Sequence, residues 1–276
     1  MKLRVVELLL VTTVPTMVLA EQGWPSLQLM VVTLAGGTLA AGGANAINMY
    51  IDRDIDKLMV RTQNRPLVTG AMTPRAAMIF AIALEIVAFG VLWAGANLLA
   101  AILAVSATLF YVFVYSLWLK RTSKQNIVIG GAAGAMPVLV GWAAVTNSLG
   151  WAPVVLFVVI FLWTPPHFWA LAIRHADDYK AAGVPMMPVV VSLERTVRSM
   201  TAYAVLLTFS TLVLVPVADL GWIYGVTALV FGVAFVIGAV RLGSDPSPKR
   251  SMRLFTFSIT YVTAIFVALT ADVLLR

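Results

Sequence analysis

Cysteine is absent from this 276-residue chain, which excludes disulfides, thiolate metal ligands and a cysteine nucleophile. Histidine occurs only twice, too few for a His-rich metal cluster. Charge is equally scarce: 11% of residues are Asp, Glu, Lys or Arg, against 61% hydrophobic, and the mean hydropathy is +0.95. A soluble protein of this length carries far more charge, so the composition points to an all-α polytopic membrane protein. A net charge of +7 in a soluble protein would suggest nucleic acid. Here the basic residues are explained by where they stand along the chain, and no nucleic acid is expected.

What is present is a succession of apolar runs, about nine, each near the roughly 18 residues that span a bilayer as a helix. They cover 5–20, 28–51, 76–95, 98–118, 126–146, 152–173, 199–217, 221–240 and 254–274. No soluble segment interrupts them, so residues 1–276 are expected to form one transmembrane domain. The first run imitates a secretory signal, with Lys2 and Arg4 ahead of it and Ala20 behind. Glu7 and Pro15 fit a signal poorly, and a retained first helix is expected. Alternate connections are short and nearly uncharged: 21–25, 95–97, 147–151 and 219–221. The others hold every lysine and arginine except Arg276. The positive-inside rule therefore places the N-terminus and the long loops in the cytoplasm and the C-terminus outside, in a cell membrane.

Two of those loops are long, 52–75 and 174–198. Each opens on aspartates (Asp52, Asp54 and Asp56; Asp177 and Asp178), passes through prolines and closes on a basic residue. Their separation by four spans suggests a weak duplication in a ring-like bundle, with the second and sixth helices facing each other. Small-residue runs, such as Ala41-Gly42-Gly43 and Gly130-Gly131-Ala132, suit close helix packing. In the sixth span, Pro165 and Pro166 are expected to break or kink the helix just before His167. His167 reads either as a hydrogen-bonded structural residue or as a ligand or proton shuttle. Glu85, near the middle of the third span, reads as a neutral packing residue hydrogen-bonded to a neighbouring helix.

Asn48, Asp52 and Asp56 stand four apart, so on a helix they form one polar stripe. The aspartates lie where the helix dipole is already negative, and that arrangement calls for a cation. Lys57 and Arg61 supply part of it; a divalent metal supplies it better. Mg²⁺ takes one or two carboxylates and fills its shell with water and phosphate oxygens, so carboxylates followed by lysines and arginines suit a diphosphate substrate. The plainer alternative is a solvated loop whose charges neutralise one another.

The Asn48-x₃-Asp52-x₃-Asp56 pattern resembles the first signature of the UbiA-type intramembrane prenyltransferases. Four stretches resemble the haem-farnesylating branch of that family: Asn45 to Gly70, the run opening Asn126-Ile-Val-Ile-Gly-Gly, Pro166-His-Phe-Trp-Ala-Leu-Ala, and Asp177-Asp-Tyr-Lys-Ala-Ala-Gly-Val-Pro. The likeness covers essentially the whole chain. In other branches the second signature is commonly Asp-x₃-Asp; here Ala181 and Ala182 stand four beyond Asp177 and Asp178, so that second aspartate is absent. The family's first helix starts near a Lys-Pro-Arg segment, matched in part by Lys2-Leu3-Arg4.

The resemblance implies a UbiA-like bundle that moves the farnesyl group of farnesyl diphosphate onto a vinyl group of protohaem IX (haem b). Water is added, giving haem O and diphosphate on the way to haem A. It implies Mg²⁺ on Asp52, Asp56 and Asp178, with Asn48 orienting or ligating. Lys57, Arg61, Arg65, Lys120, Arg121, Arg174 and Lys180 form the pool of diphosphate contacts. Met49, Phe110, Phe113 and Phe168 are candidates for the apolar tunnel. His167 is the preferred iron ligand over His175, and a downstream haem-modifying oxidase is a candidate recipient of the product. Two rivals stand beside this: a related prenyltransferase with an aromatic or other tetrapyrrole acceptor, and an ion-coupled transporter. A transporter needs acids near the bilayer midplane, whereas those here, Glu85 apart, cluster at helix ends.

Overall fold

A computed structural model of the protein describes residues 3–245 and 247–276, with side chains from Val11 onward. Lys2 and the side chains of Arg4 and Glu7 lie outside the described residues. The described chain is helical, with no strand among its elements. Eight helices are long and apolar enough to cross a membrane: α2 (Leu27–Ile51), α3 (Pro74–Gly95), α4 (Leu98–Thr122), α5 (Asn126–Thr146), α6 (Trp151–Arg174), α7 (Leu193–Val217), α8 (Trp222–Ser244) and α9 (Pro248–Leu274). A further long helix, α1 (Leu3–Glu21), precedes them and packs on α5 and α9. This is a multi-pass membrane bundle.

Its outer surface shows why. Ile82, Ile86, Val87, Phe209 and Val230 are exposed, an arrangement water would penalise and lipid tails accept. Trp24, Trp93, Trp151 and Trp222 are exposed near the end where the connections are short, as in an interfacial aromatic belt. Inside, small residues set the spacing. A Cβ on Gly36 would overlap Leu92, one on Gly43 would overlap Glu85, and one on Gly131 would overlap Thr164. α2 and α3 pack closely through the first two of these, α5 and α6 through the third.

Two helices start earlier than hydropathy indicates. α7 begins at Leu193 and α9 at Pro248, each about one and a half turns before its apolar run. Ser192 and Ser247 cap them, accepting from the Arg195 and Arg250 amides, so charged turns continue the helix beyond the apolar part. Of the break or kink expected in the sixth helix, the break is absent: α6 runs continuously through Pro165 and Pro166. Both prolines are buried against neighbouring helices that hold the segment in place. α4 carries the opposite surprise, a ten-residue π-helical segment over Phe110–Leu119.

The two long loops are partly ordered into short turns of helix at Ile55–Lys57, Pro66–Thr69, Ala176–Ala181 and Met187–Val190. Gly183 turns the second loop with φ +64°, a backbone conformation glycine adopts without strain. The loops meet: Ile55 and Met59 of the first bury with Ala182, Val184 and Met186 of the second, over Ile127 and Ala172. This small core closes the loop-rich end of the bundle.

Candidate active site

Beneath that closure, α2 ends on Asp52, whose amide still bonds to the Asn48 carbonyl. Asp52 is fully buried. Its Oδ2 accepts from Asn48 Nδ2 at 2.7 Å and is ion-paired with Lys120. Asn48 Nδ2 also donates to Ser116 Oγ at 3.0 Å, and Ser116 Oγ donates to the Tyr111 carbonyl at 2.9 Å. Ser116 and Lys120 reach α2 because of the π register of α4. There the Lys120 amide bonds to the Tyr115 carbonyl five residues back, and Tyr111 stacks on Tyr115 with centroids 5.3 Å apart. π-segments of this kind are frequent at functional sites.

Around Asp52 the other charges pair in order. Asp56, also buried, is ion-paired with Arg65. Arg121 forms a two-pronged contact with the Asp54 carboxylate, both bonds 2.7 Å, and its guanidinium stands 3.9 Å from Asp52 Oδ1. That hydrogen bonding holds the Asp54 carboxyl well below the usual carboxylate range. Burial pushes the Tyr179 phenol above its ordinary value, and the charge of Arg61 on the other loop partly offsets it. Asp52 Oδ1 is buried without a hydrogen-bond partner. With the Arg121 guanidinium at 3.9 Å and no hydrogen bond, this buried carboxylate oxygen has room for a further cation or donor.

Asn48, Asp52, Asp56, Arg65, Lys120 and Arg121 therefore come together, with Arg61 at the loop junction. Asp178 is half-buried next to Tyr179, its Oδ2 3.6 Å from His175 Nδ1. Lys57 and Lys180 are exposed. Arg174 lines a separate groove of about 850 Å³ with Lys249, Met252, Arg253 and Phe257 of α9. Among the described residues no three His, Asp or Glu side chains form a ready metal cage. Mg²⁺ needs only one or two carboxylates beside water and phosphate oxygens. Asp52 Oδ1, without a hydrogen bond, and the nearby buried Asp56 fit such an ion.

His167 lies elsewhere, between the rings of Trp163 and Phe255 at 4.2 and 4.4 Å, with Nδ1 2.6 Å from Ser258 Oγ. Phe113 is 59% exposed on the same outer face as Leu109 and Leu117, so it faces outward rather than lining a tunnel. Glu85 accepts from Thr108 Oγ1 of α4 at 3.2 Å and packs on Gly43 of α2, the interhelical contact expected of it.

Sequence reading missed Tyr111, Tyr115, Ser116 and Tyr179. Tyr179 stood inside a recognised stretch, but the other three sit in an aromatic run whose register hydropathy does not report.

Chemically, buried carboxylates with a free oxygen, ringed by guanidinium and ammonium groups under two loops, can grip a metal-bound polyanion at the end of an apolar bundle. Residues 9–265 match the UbiA prenyltransferase family, and the chain belongs to that family and is a prenyltransferase. A curated relative from Parafrankia sp. (strain EAN1pec), protoheme IX farnesyltransferase, is 56% identical over 281 residues, covering 100% of this chain and 89% of the relative. Among solved structures, digeranylgeranylglyceryl phosphate synthase superposes with a TM-score of 0.82 at 16% identity, covering 99% of this chain and 95% of that one. A UbiA homolog from Archaeoglobus fulgidus bound to DMAPP and Mg²⁺ gives 0.68 at 20% identity, covering 97% of each. At such identities these two support the fold alone.

Proposed function

We propose that this enzyme transfers the farnesyl group of farnesyl diphosphate to a vinyl group of haem b with addition of water, releasing haem O and diphosphate in the route to haem A. The observation that carries the reading is Asp52: fully buried, oriented by Asn48, paired with Lys120 and left with one oxygen that has no hydrogen bond. Full-length identity to a haem farnesyltransferase supports the choice of acceptor.

Asp52 and Asp56 would hold Mg²⁺ in this reading, with Asp178 of the second loop as the further proposed ligand. Bound there, Mg²⁺ supplies positive charge to the departing diphosphate. Asn48 keeps the Asp52 carboxylate facing the site. Lys120, Arg121, Arg65 and Arg61 receive the remaining phosphate oxygens, Arg61 and Arg121 through planar forks suited to them. Stabilising the leaving group lets the allylic C–O bond ionise, and the face of Tyr111 or Tyr115 steadies the cation by about 0.5–2 kcal/mol. The haem vinyl carbon attacks that cation, and water captures the resulting charge and loses a proton. Lys57, Lys180 and Arg174 are outer members of the diphosphate pool, and His167 is the proposed iron ligand. The whole chain acts as one transmembrane unit in the cell membrane, with the loop-rich end in the cytoplasm, where the basic residues accumulate. A downstream haem-modifying oxidase is the proposed recipient.

The decisive test incubates purified protein with Mg²⁺, farnesyl diphosphate and either haem b or an aromatic acid, and reads product mass. A farnesyl-plus-water increment on haem is expected. Prenylation of the aromatic acid alone would overturn the reading.

A further inference from the structure

Asp52 Oδ1 is not the only stranded polar atom at this end of the bundle. Asn126, the first residue of α5, has no exposed surface, and neither its amide oxygen nor its amide nitrogen has a hydrogen-bond partner. A buried carboxamide missing all of its bonds costs stability, and few native side chains are left so. Substituting a hydrocarbon there would relieve the protein, so the polarity calls for a use.

Its position supplies one. Asn126 and Gly130 are four residues apart and share a face of α5. Gly130 is covered by the Tyr115 ring so closely that a Cβ would overlap it. Tyr115 stacks on Tyr111, whose carbonyl accepts from Ser116 Oγ, and it packs with Tyr179 against the core where the loops meet. The next residue, Ile127, packs with Ile55 and Met59 of the first loop. Asn126 therefore stands behind the Tyr115 ring, on a third helix that packs against both α2 and α4. Asn48 of α2 and Ser116 of α4 satisfy each other; Asn126 satisfies no one.

We propose that Asn126 is a binding residue of the donor site, its carboxamide contacting the metal–diphosphate head of the prenyl donor. The inference rests on the diphosphate reading above. An amide offers both a donor for a phosphate oxygen and an acceptor for a metal-bound water, which neither a carboxylate nor a lysine does alone. The stability lost in the empty protein is recovered when the ligand arrives.

The test compares wild type with Asn126→Leu, similar in size and apolar, as full-length protein in detergent. The probe is inorganic diphosphate with Mg²⁺, read by the shift in melting temperature. Wild type is expected to shift upward. Asn126→Leu is expected to melt at the same temperature or higher without ligand and to lose at least half of the shift. Its KM for farnesyl diphosphate should rise about tenfold while that for haem stays within twofold. An unchanged shift and KM overturn the proposal, and so does a lower ligand-free melting temperature with unchanged KM, the mark of a purely structural amide. Should Asn126→Leu fail to insert, Asn126→Asp keeps the shape and adds a negative charge; diphosphate binding as strong as wild type there overturns it equally. If wild type neither shifts nor farnesylates haem, the functional reading itself fails, an outcome distinct from failure of Asn126 alone.

Discussion

Asp52 and Lys120 show what a single residue contributes here. Their ion pair is nearly enclosed, so removing one partner strands the other, a loss of about 3–5 kcal/mol in buried pairs. Asp52→Asn is expected to abolish turnover and to lower the melting temperature as well. Adding Lys120→Met should restore much of the melting temperature and none of the activity; thermal melts beside product assays separate the two effects. Asp56→Ala should likewise stop turnover, and full activity in it would remove the metal assignment. Asp54 behaves differently because it is largely exposed and its carboxyl titrates low through Arg121. A depressed folded pKa gives stability above the ordinary aspartate value near 3.9 that is lost as pH falls through the folded one. The small stability difference between wild type and Asp54→Asn should thus stay level above about pH 5 and shrink in acid, as melting across pH would show. The acidic stripe was legible because its four-residue spacing is a helical repeat. Ser116 was not: its partner Asn48 is 68 residues away, and a lone serine among aromatics carries no period.

Elements were legible where hydropathy and helicity coincide. They parted at the starts of α7 and α9, where capped, charged turns extend the helix past the apolar run, and in α4, where hydropathy reports an apolar stretch but not its hydrogen-bond register. That register is testable. Deleting Phe113, which faces outward, should convert the π segment towards α-helix and rotate everything after it by about 100°, one residue's turn. Ser116 and Lys120 would then miss Asn48 and Asp52. The variant is expected to insert and lack activity, whereas Phe113→Leu should keep it; retained turnover in the deletion would show that the site does not depend on the register. A second element-level tie lies at the other end. Asp272 of α9 caps α8, accepting from the Gly221 and Tyr224 amides at 2.6 and 3.2 Å, and it also pairs with Arg276. Asp272→Ala should cost about 2 kcal/mol of stability, measured by denaturation, with KM for both substrates unchanged below the melting temperature.

At the scale of the molecule, the order of helices and the placing of both long loops at one end followed from alternation: short uncharged connections on one side, long basic ones on the other. The seating of His167 between Trp163 and Phe255 did not follow, because an aromatic stack between α6 and α9 depends on how the bundle closes. Orientation in the membrane comes from charge asymmetry, and the missing cysteines make it unusually direct to measure. With no native thiol to react, a single introduced cysteine reports only its own location. Ser148→Cys, in an exposed short connection, and Gln125→Cys, at the exposed start of α5, stand at opposite ends of one helix. A membrane-impermeant maleimide applied to intact cells or spheroplasts should label Ser148→Cys at once and Gln125→Cys only after permeabilisation. The reverse pattern would put the loops, and with them Asp52, outside. The proposed placement of the loop-rich end, and of the donor site beneath it, in the cytoplasm would then fail.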